Sequence, residues 1–497
     1  AIETMRTDGE SIGLILRLMG AEPVWDESGR VSSVEVTPLE ELKRPRVNVL
    51  VTISGLFRDT FGHTIEVLDE AFRQMAVLEE EADSNYVRKT YKHLREQLQE
   101  QGMSPEESDT LARSRIFGDP PGAYGTGVSD LGSSTSAWEN SDELADTYMS
   151  RMSYAYGKNA YGVPARSTFQ EILKSVDAIT QVKDSLWGAL DNDDVAQYFG
   201  GLNLAAKMAS GEEISQYIVN TRSGDAKVQT FKEFVGMELR SRLLNPKWID
   251  GMAEEGYAGY REIGDHVANM FLVDATLGGL GDWSWDQVAE TYILDDQMMK
   301  MMDPFVAQSI IGWNMEAARR DMWKTDRETL TQLANNYVET AARYGVVCCH
   351  HTCNNIVFNE WVASYATVDV GTVNKFADVF YNATNHRLME GQEITPSEAG
   401  RDPNNLSSDK HSPSLMADNR AKTRLRAQHI EDGDREQSVG VGDETDQGEK
   451  KPRAFELVEE DTGEQSATGT KAVSIIAIVV ALGLMALFFR GYMRKQS

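Results

Sequence analysis

Cysteine is scarce in this chain of 497 residues: there are three, all within positions 348–353, which excludes a distributed disulfide framework. No Gly-x-x-x-x-Gly-Lys-Ser/Thr run occurs, so a P-loop for ATP hydrolysis is not built into the chain. Positive charge is short as well, with 49 Lys and Arg against 78 Asp and Glu and a formal net charge of -29. Such a chain repels a nucleic-acid backbone before any phosphate contact forms, so no nucleic-acid partner is expected. Uninterrupted apolar stretches are few, and the one long run is residues 472–489. What remains is 41% hydrophobic and 26% charged, the balance of a folded body with ample core and room for about two to four domains.

The chain opens with a helical pattern over Glu10 to Met19 and an extended piece around Val31 to Val36. Val47, Val49, Val51 and Ile53 alternate within a nearly continuous apolar run, which predicts a buried strand ending at Ser54-Gly55. A polar turn with Phe57, Arg58, Asp59 and His63 follows, then a helix over about 64–80 with Ile65, Leu68, Phe72 and Met75 on one face. Strand, turn and helix make one α/β unit, in which ligands sit at the carboxyl end of the strand. Val87, Tyr91, Leu94 and Leu98 mark another helix, and Ser104-Pro105-Glu106-Glu107 is a capping box that starts the next one.

That last helix delivers Arg113 and Arg115 to a loop rich in Gly and Pro over residues 118–127. With Arg115 and Tyr124 beside it, such a loop suits either a carboxylated planar ligand or an ordinary tight turn. Phe169, Ile172, Leu173, Val176, Ile179, Val182 and Leu186 read as one amphipathic helix. Asp191, Asp193 and Asp194 then crowd a helix start, either for the cap and dipole or for a cation. Asn245-Pro246 ends the helix that closes at Leu244 and starts another, because Asn caps orphan amides and Pro fits only a first turn. Beyond the bend Trp248, Tyr257 and Tyr260 interleave with Lys247, Glu254, Glu255, Arg261 and Glu262, which suits a cleft wall or a plain helix pair. His266 reads as a hydrogen-bonded core histidine.

Four stretches carry a resemblance: Ile53-Ser-Gly-Leu-Phe-Arg-Asp59, Arg115-Ile-Phe-Gly-Asp-Pro-Pro-Gly-Ala-Tyr-Gly125, Asp191-Asn-Asp-Asp-Val-Ala-Gln-Tyr-Phe-Gly-Gly201, and Asn245-Pro-Lys-Trp-Ile-x-Gly-Met with Gly256-Tyr-x-Gly259. In this order they resemble the large subunit of class I tetrapyrrole metal chelatases, the CobN cobaltochelatase and magnesium chelatase H family. Family large subunits are more than twice as long, and this chain opens on Ala1, so it reads as the C-terminal part of a larger protein. The resemblance implies insertion of a divalent metal into a tetrapyrrole or corrinoid substrate, with ATP used by separate AAA+ motor subunits. Cobalt into a corrin precursor, as in cobalamin biosynthesis, comes first because the Asp191 region and the Arg115 loop read closer to the cobaltochelatase branch. Magnesium into a porphyrin is the alternative, and nickel stays open. Two pyrrole N–H protons leave during metallation, so a proton acceptor, a planar apolar pocket and cations for ring carboxylates are needed. On motif membership and residue chemistry, His63 and Glu262 are the candidate acceptors or transient metal ligands. Arg58, Arg115 and Lys247 are candidates for the carboxylates, and Tyr124, Trp248 and Tyr257 for packing on the ring.

Past residue 344 the chemistry changes. Cys348, Cys349, His350, His351 and Cys353 offer thiolate and imidazole to zinc, cobalt, nickel or iron, or are buried structural residues. The expected organisation is an α/β part over 1–130, a mainly helical part over 131–390, and an acidic disordered linker over 391–470. A single membrane helix over 471–490 and a basic tail over 491–497 complete it. The eighteen uncharged residues 472–489 would extend about 27 Å, enough to cross a hydrocarbon core and anchor the chain in a lipid bilayer. Arg490, Arg494 and Lys495 put the tail in the cytoplasm and the body outside, where Asn382 and Asn405 stand in glycosylation sequons. ATP-driven chemistry instead requires the body inside, so sidedness stays open. The competing reading is a non-catalytic, membrane-anchored protein that captures a tetrapyrrole or metal, or a scaffold that has lost the site.

Overall fold

The computed structural model describes residues 9–183, 185–222, 226–347 and 355–388. Strands β1 (Ala21–Trp25) and β2 (Val31–Val36) form an antiparallel hairpin. A second sheet has the order β3-β4-β5-β6, from Val51–Ile53, Ile116–Gly118, Tyr154–Gly157 and Ala160–Pro164. Its β3 and β4 run parallel, and the other pairs are antiparallel. The third sheet is β7 (Ala178–Lys183), β8 (Ser215–Asn220) and β9 (Lys227–Thr230), with β7 parallel to β8.

Helix α1 (Glu10–Met19) and helix α2 (Gly62–Val77) cover the first α/β unit. Ile65, Leu68, Phe72 and Met75 of α2 are all buried against Val51 and Ile53, as their spacing predicts. The expected strand is shorter than its apolar run, since Val47 is 39% exposed and only Val51–Ile53 pairs. The Ser104 capping box forms with both reciprocal bonds, Glu107 N–H to Ser104 Oγ and Ser104 N–H to Glu107 Oε2 at 3.3 Å each. The amphipathic helix read over residues 169–186 splits into a helix Arg166–Leu173 and strand β7. Its second half holds the β-branched Val176, Ile179, Thr180 and Val182, which favour extended backbone once β8 offers a parallel partner.

The remainder is predominantly helical. Helix α3 (Phe231–Ser241) leads through Asn245, whose side chain accepts from Lys247 N–H at 3.1 Å, into α4 (Pro246–Glu254) and α5 (Tyr257–Leu277). Gly256 joins the last two at φ +61°, and a Cβ on Gly259 would lie 1.8 Å from the Met252 carbonyl oxygen, so the motif glycines permit the turn and the close crossing. Helices α6 (Pro304–Arg319) and α7 (Arg327–Tyr344) pack in series on α5. Arg320, paired with the fully buried Glu316, donates to the backbone carbonyls of Thr135, Trp138 and Glu139 and lies 3.6 Å from the Trp138 ring centroid. That clamp closes the helical part over a loop from early in the chain.

The expected membrane attachment is corrected. Among the described residues no helix is long and apolar enough to cross a bilayer. The longest, α5, has 21 residues but carries Arg261, Glu262, Asp265, His266 and Asp274. Charges at that density suit a protein interior and its surface, not a hydrocarbon core. Residues 472–489, on which the expectation rested, lie outside the described residues, as do the 391–470 linker and Asn405; Asn382 sits in the helix Val370–Thr384. Lipid attachment and the sidedness drawn from it are therefore withdrawn.

Candidate functional site

Two polar clusters form around the sequence motifs, and residues 188–200 join them. The first sits at the carboxyl ends of the parallel pair β3 and β4. Ser54 caps a short helix, Gly55–Thr60, by accepting from Phe57 N–H at 3.1 Å, and this helix turns Arg58 inward. The Arg58 guanidinium is enclosed, with Nε and Nη2 on the two Asp59 oxygens at 2.7 and 2.9 Å. Its Nη1 reaches Asp119 Oδ1 at 3.0 Å and the carbonyls of Asp119, Pro120 and Ala123. Tyr124 lies over this assembly, 63% exposed, and its hydroxyl donates to Asp59 at 2.6 Å. The hydrogen bonds from Arg58 and then Tyr124 hold the Asp59 carboxyl down at about 2. Burial pushes the Asp119 carboxyl up to about 6 against the pull of Arg58. Its Oδ2 is enclosed and has no hydrogen-bond partner among the described residues.

The second cluster centres on Asp191 and His266. His266 projects from α5 with Nε2 3.1 Å from Asp191 Oδ1 and Nδ1 2.9 Å from the Glu262 carbonyl oxygen one turn earlier. The Glu262 carboxylate is 3.5 Å from Nδ1 and about half exposed, so it forms the open side of the cluster. The indole of Trp248 covers the imidazole with ring centroids 5.1 Å apart. Asp191 also accepts from the Gly188 N–H at 2.8 Å and from the Arg242 guanidinium. Burial works to raise its pKa, but the hydrogen bonds from His266 and Arg242 outweigh it and hold the carboxyl below the usual range. Behind Arg242, Glu238 pairs with Arg222 at 3.1 Å, extending an alternating ion network from α3 to α5.

The joint between the clusters is a π-helical turn, Val195–Gly200. Thr126 donates to the Gln197 carbonyl at 3.0 Å, and its N–H reaches Gln197 Oε1 at 3.3 Å, tying the Gly-Pro loop to this turn. Irregular helix of this kind is frequent at functional sites. Among the described residues no three His, Cys, Asp or Glu side chains gather as a metal-binding set. Asp191 serves the ion network, and Asn192 and Gln197 hold Asp194 and Asp193, so the acidic run is neither a simple cap nor a cation cage.

The structure therefore brings Arg58 and Tyr124 together at one cluster and Trp248 and Glu262 at the other. His63 lies apart at the start of α2, exposed, with Nε2 2.7 Å from the Val31 carbonyl oxygen. Arg115 is a correction: its guanidinium is buried on Asn48 Oδ1 at 2.7 Å and on the Ala112 and Ser114 carbonyls, out of reach of a ligand. Arg58 is likewise enclosed and spends its donors within the fold. Tyr257 is exposed at the α4–α5 turn, and Lys247 is exposed in the first turn of α4, at the other end of that helix. Cys348, Cys349, His350, His351 and Cys353 lie outside the described residues. Asp119, Arg242 and the pairing of Asp191 with His266 escaped the sequence reading, because that pairing spans 75 residues. The one available signal was that Asp191 opens a motif stretch.

Comparison with known proteins adds an independent line. The family described as CobN/Magnesium Chelatase matches residues 1–330. An uncharacterised protein of Methanocaldococcus jannaschii is 39% identical over 341 residues, covering 68% of this chain and 28% of that protein. A magnesium-chelatase subunit of Chlorobaculum parvum is 37% identical over 348 residues, covering 69% of this chain and 27% of the relative. The catalytic subunit of cobaltochelatase from Mycobacterium tuberculosis superimposes with a TM-score of 0.64 at 33% identity, covering 68% of this chain and 29% of that one. This chain thus spans little more than a quarter of the length of these relatives.

Proposed function

Since the chain belongs to the CobN/magnesium chelatase family, we propose that it forms the tetrapyrrole-binding part of a metal chelatase large subunit, inserting a divalent metal into a macrocycle with ATP supplied by partner motor subunits. Metal and macrocycle are substrates here. Cobalt comes first and magnesium second, on the reading of the Asp191 and Arg115 stretches; relatives carry both names.

The observation that carries this reading is that residues 188–200 bond to both polar clusters, through Gln197 to Thr126 of the Gly-Pro loop and through Asp191 to His266, which Trp248 covers. A planar ring packs on Trp248 and Tyr257, and Lys247 meets its carboxylates from the exposed side of α4. Glu262, half exposed beside His266, takes a pyrrole proton, with His266 behind it and Asp191 fixing the imidazole. Arg58 and Asp119 hold the Gly-Pro loop in place without touching the ring. Fluorescence titration with deuteroporphyrin IX tests this directly. Trp248→Ala is expected to weaken binding on the order of tenfold, the worth of one aromatic packing contact. Wild-type protein that leaves the porphyrin unbound, or a Trp248→Ala variant that binds it equally well, would remove the proposed ring site. A metal-insertion assay with cobalt and magnesium, run with the motor subunits present, decides the metal.

A further inference from the structure

A cavity of about 700 Å³ opens between the end of α3 and the start of α7, lined by none of the side chains of the two polar clusters. One wall is the helix Asp282–Val288, which runs on into a second π-helical turn, Ala289–Ile293. Asp286 and Glu290, four residues apart along this wall, both border the cavity. The opposite wall is fixed to the first by two bonds: the buried Trp323 donates its indole N–H to Asp286 Oδ1 at 2.9 Å, and Lys324 N–H reaches Asp282 Oδ1 at 2.7 Å. Asp326, which caps α7, adds a third carboxylate. The remaining side holds Trp283, whose ring already carries a guanidinium: Arg240 Cζ lies 4.5 Å from its centroid, with Nη1 donating to the Gly236 carbonyl at 3.0 Å. Asp286 is left with Oδ2 and Glu290 with Oε1 as acceptors that no described residue uses. Three carboxylates against one arginine give the lining a formal charge of 1 - 3 = -2. Carboxylates beside an indole in a partly desolvated cavity suit a guanidinium or ammonium guest.

We infer that this cavity binds the basic stretch of the same chain at residues 420–426, through ion pairs from its arginines and lysine to Asp286, Glu290 and Asp326. Charge selects the occupant. In a chain of formal net charge -29, Arg420, Lys422, Arg424 and Arg426 stand at every second position, with no acid between Asp418 and Glu431. Those residues lie outside the described ones, which end at Leu388. The intervening stretch spans up to about 100 Å when extended, several times the radius of gyration of about 21 Å of a domain of this size. Tethering keeps the local concentration of the basic stretch in the millimolar range, so individually weak ion pairs suffice. The inference uses neither the ring site nor the metal-insertion chemistry, and its test needs no chelation assay.

The test is zero-length carbodiimide coupling of carboxylates to lysines in the full chain, with the products mapped by mass spectrometry. Lys422 is the reporter, and Lys410, Lys450 and Lys451 are the control lysines on either side of it. The expected result is Lys422 joined to Asp286, Glu290 or Asp326 of the same chain, at a yield that falls on the order of fivefold or more in 1 M salt. Arg424→Glu combined with Arg426→Glu leaves both the cavity and the reporter intact and should lower that yield as salt does. Glu290→Gln, at an exposed position, should remove the Glu290 product without changing thermal melting. Mixing isotopically labelled and unlabelled chains separates coupling within one chain from coupling between two. Lys422 coupled no more to these three carboxylates than the control lysines are, products found only between two copies, or a yield indifferent to Arg424→Glu with Arg426→Glu would each overturn the inference.

Discussion

Replacing Asp274 with Asn should make the protein more stable at neutral pH, against the usual direction of a buried substitution. Asp274 lies in the last turn of α5, 9% exposed, where Oδ2 accepts from the Trp285 indole N–H at 2.9 Å and Oδ1 from Leu280 N–H at 3.5 Å. Among the described residues no cation compensates it, and burial pushes its carboxyl up to about 6 from an ordinary 3.8. The folded state therefore holds this proton more tightly than the unfolded state. Stability falls as pH rises between those two values and stays lowered above the upper one. The gap of about two pH units corresponds to about 3 kcal/mol at pH 7 and above. Asn keeps the acceptor for Trp285 and loses the weak Leu280 contact, worth about 1 kcal/mol. The expected outcome is Asp274→Asn more stable by about 2 kcal/mol at pH 7.5 and less stable by about 1 kcal/mol near pH 4. Urea unfolding followed by tryptophan fluorescence across that range reads both ends. Parallel stability curves for the two proteins would refute the reasoning, since only a carboxyl whose folded pKa is raised makes them cross.

Asp191→Asn removes the charge that Arg242 and His266 share, and breaking a buried pair of this kind should cost about 3–5 kcal/mol in urea unfolding. Its porphyrin affinity, measured on the remaining folded fraction, should fall with it. Gly259→Ala drives a methyl into the Met252 carbonyl where α4 crosses α5, and should cost about 3 kcal/mol or more in thermal unfolding. Tyr124→Phe removes only the exposed bond to Asp59, so stability should change by about 1 kcal/mol or less in the same unfolding assay. Arg58→Lys cannot reproduce the fork on Asp59 together with the bonds to the loop carbonyls, and limited proteolysis should cut the 118–127 loop sooner than in wild type.

Local features were legible in the sequence wherever a short-range rule decides them. The capping box at Ser104, the Asn245 cap and the buried face of α2 all follow from neighbours within a few residues. The strand β7 was not legible, because a short apolar run satisfies helix and strand alike until a partner 37 residues away selects one: Ala178 pairs with Ser215. The site followed the same division. Motif residues such as Trp248, Glu262 and Tyr124 could be named from their surroundings. Whether an arginine faces a ligand or the interior could not: Arg58 and Arg115 look alike in sequence to any surface arginine, and only tertiary packing turned both inward. His266 read as a core histidine and is indeed enclosed, but its partner Asp191 arrives from a different element.

The clamp that Arg320 makes on Thr135, Trp138 and Glu139 spans more than 180 residues of sequence. A ribosome adding about 5–20 residues per second leaves that early loop waiting on the order of ten seconds or more for its fastening. During that interval the Trp138 indole and three backbone carbonyls lack their eventual cover. Nascent chains halted before residue 320 should therefore present this loop to chaperones and proteases, whereas chains released after it should not. The rate of synthesis between residues 139 and 320 then becomes a determinant of yield.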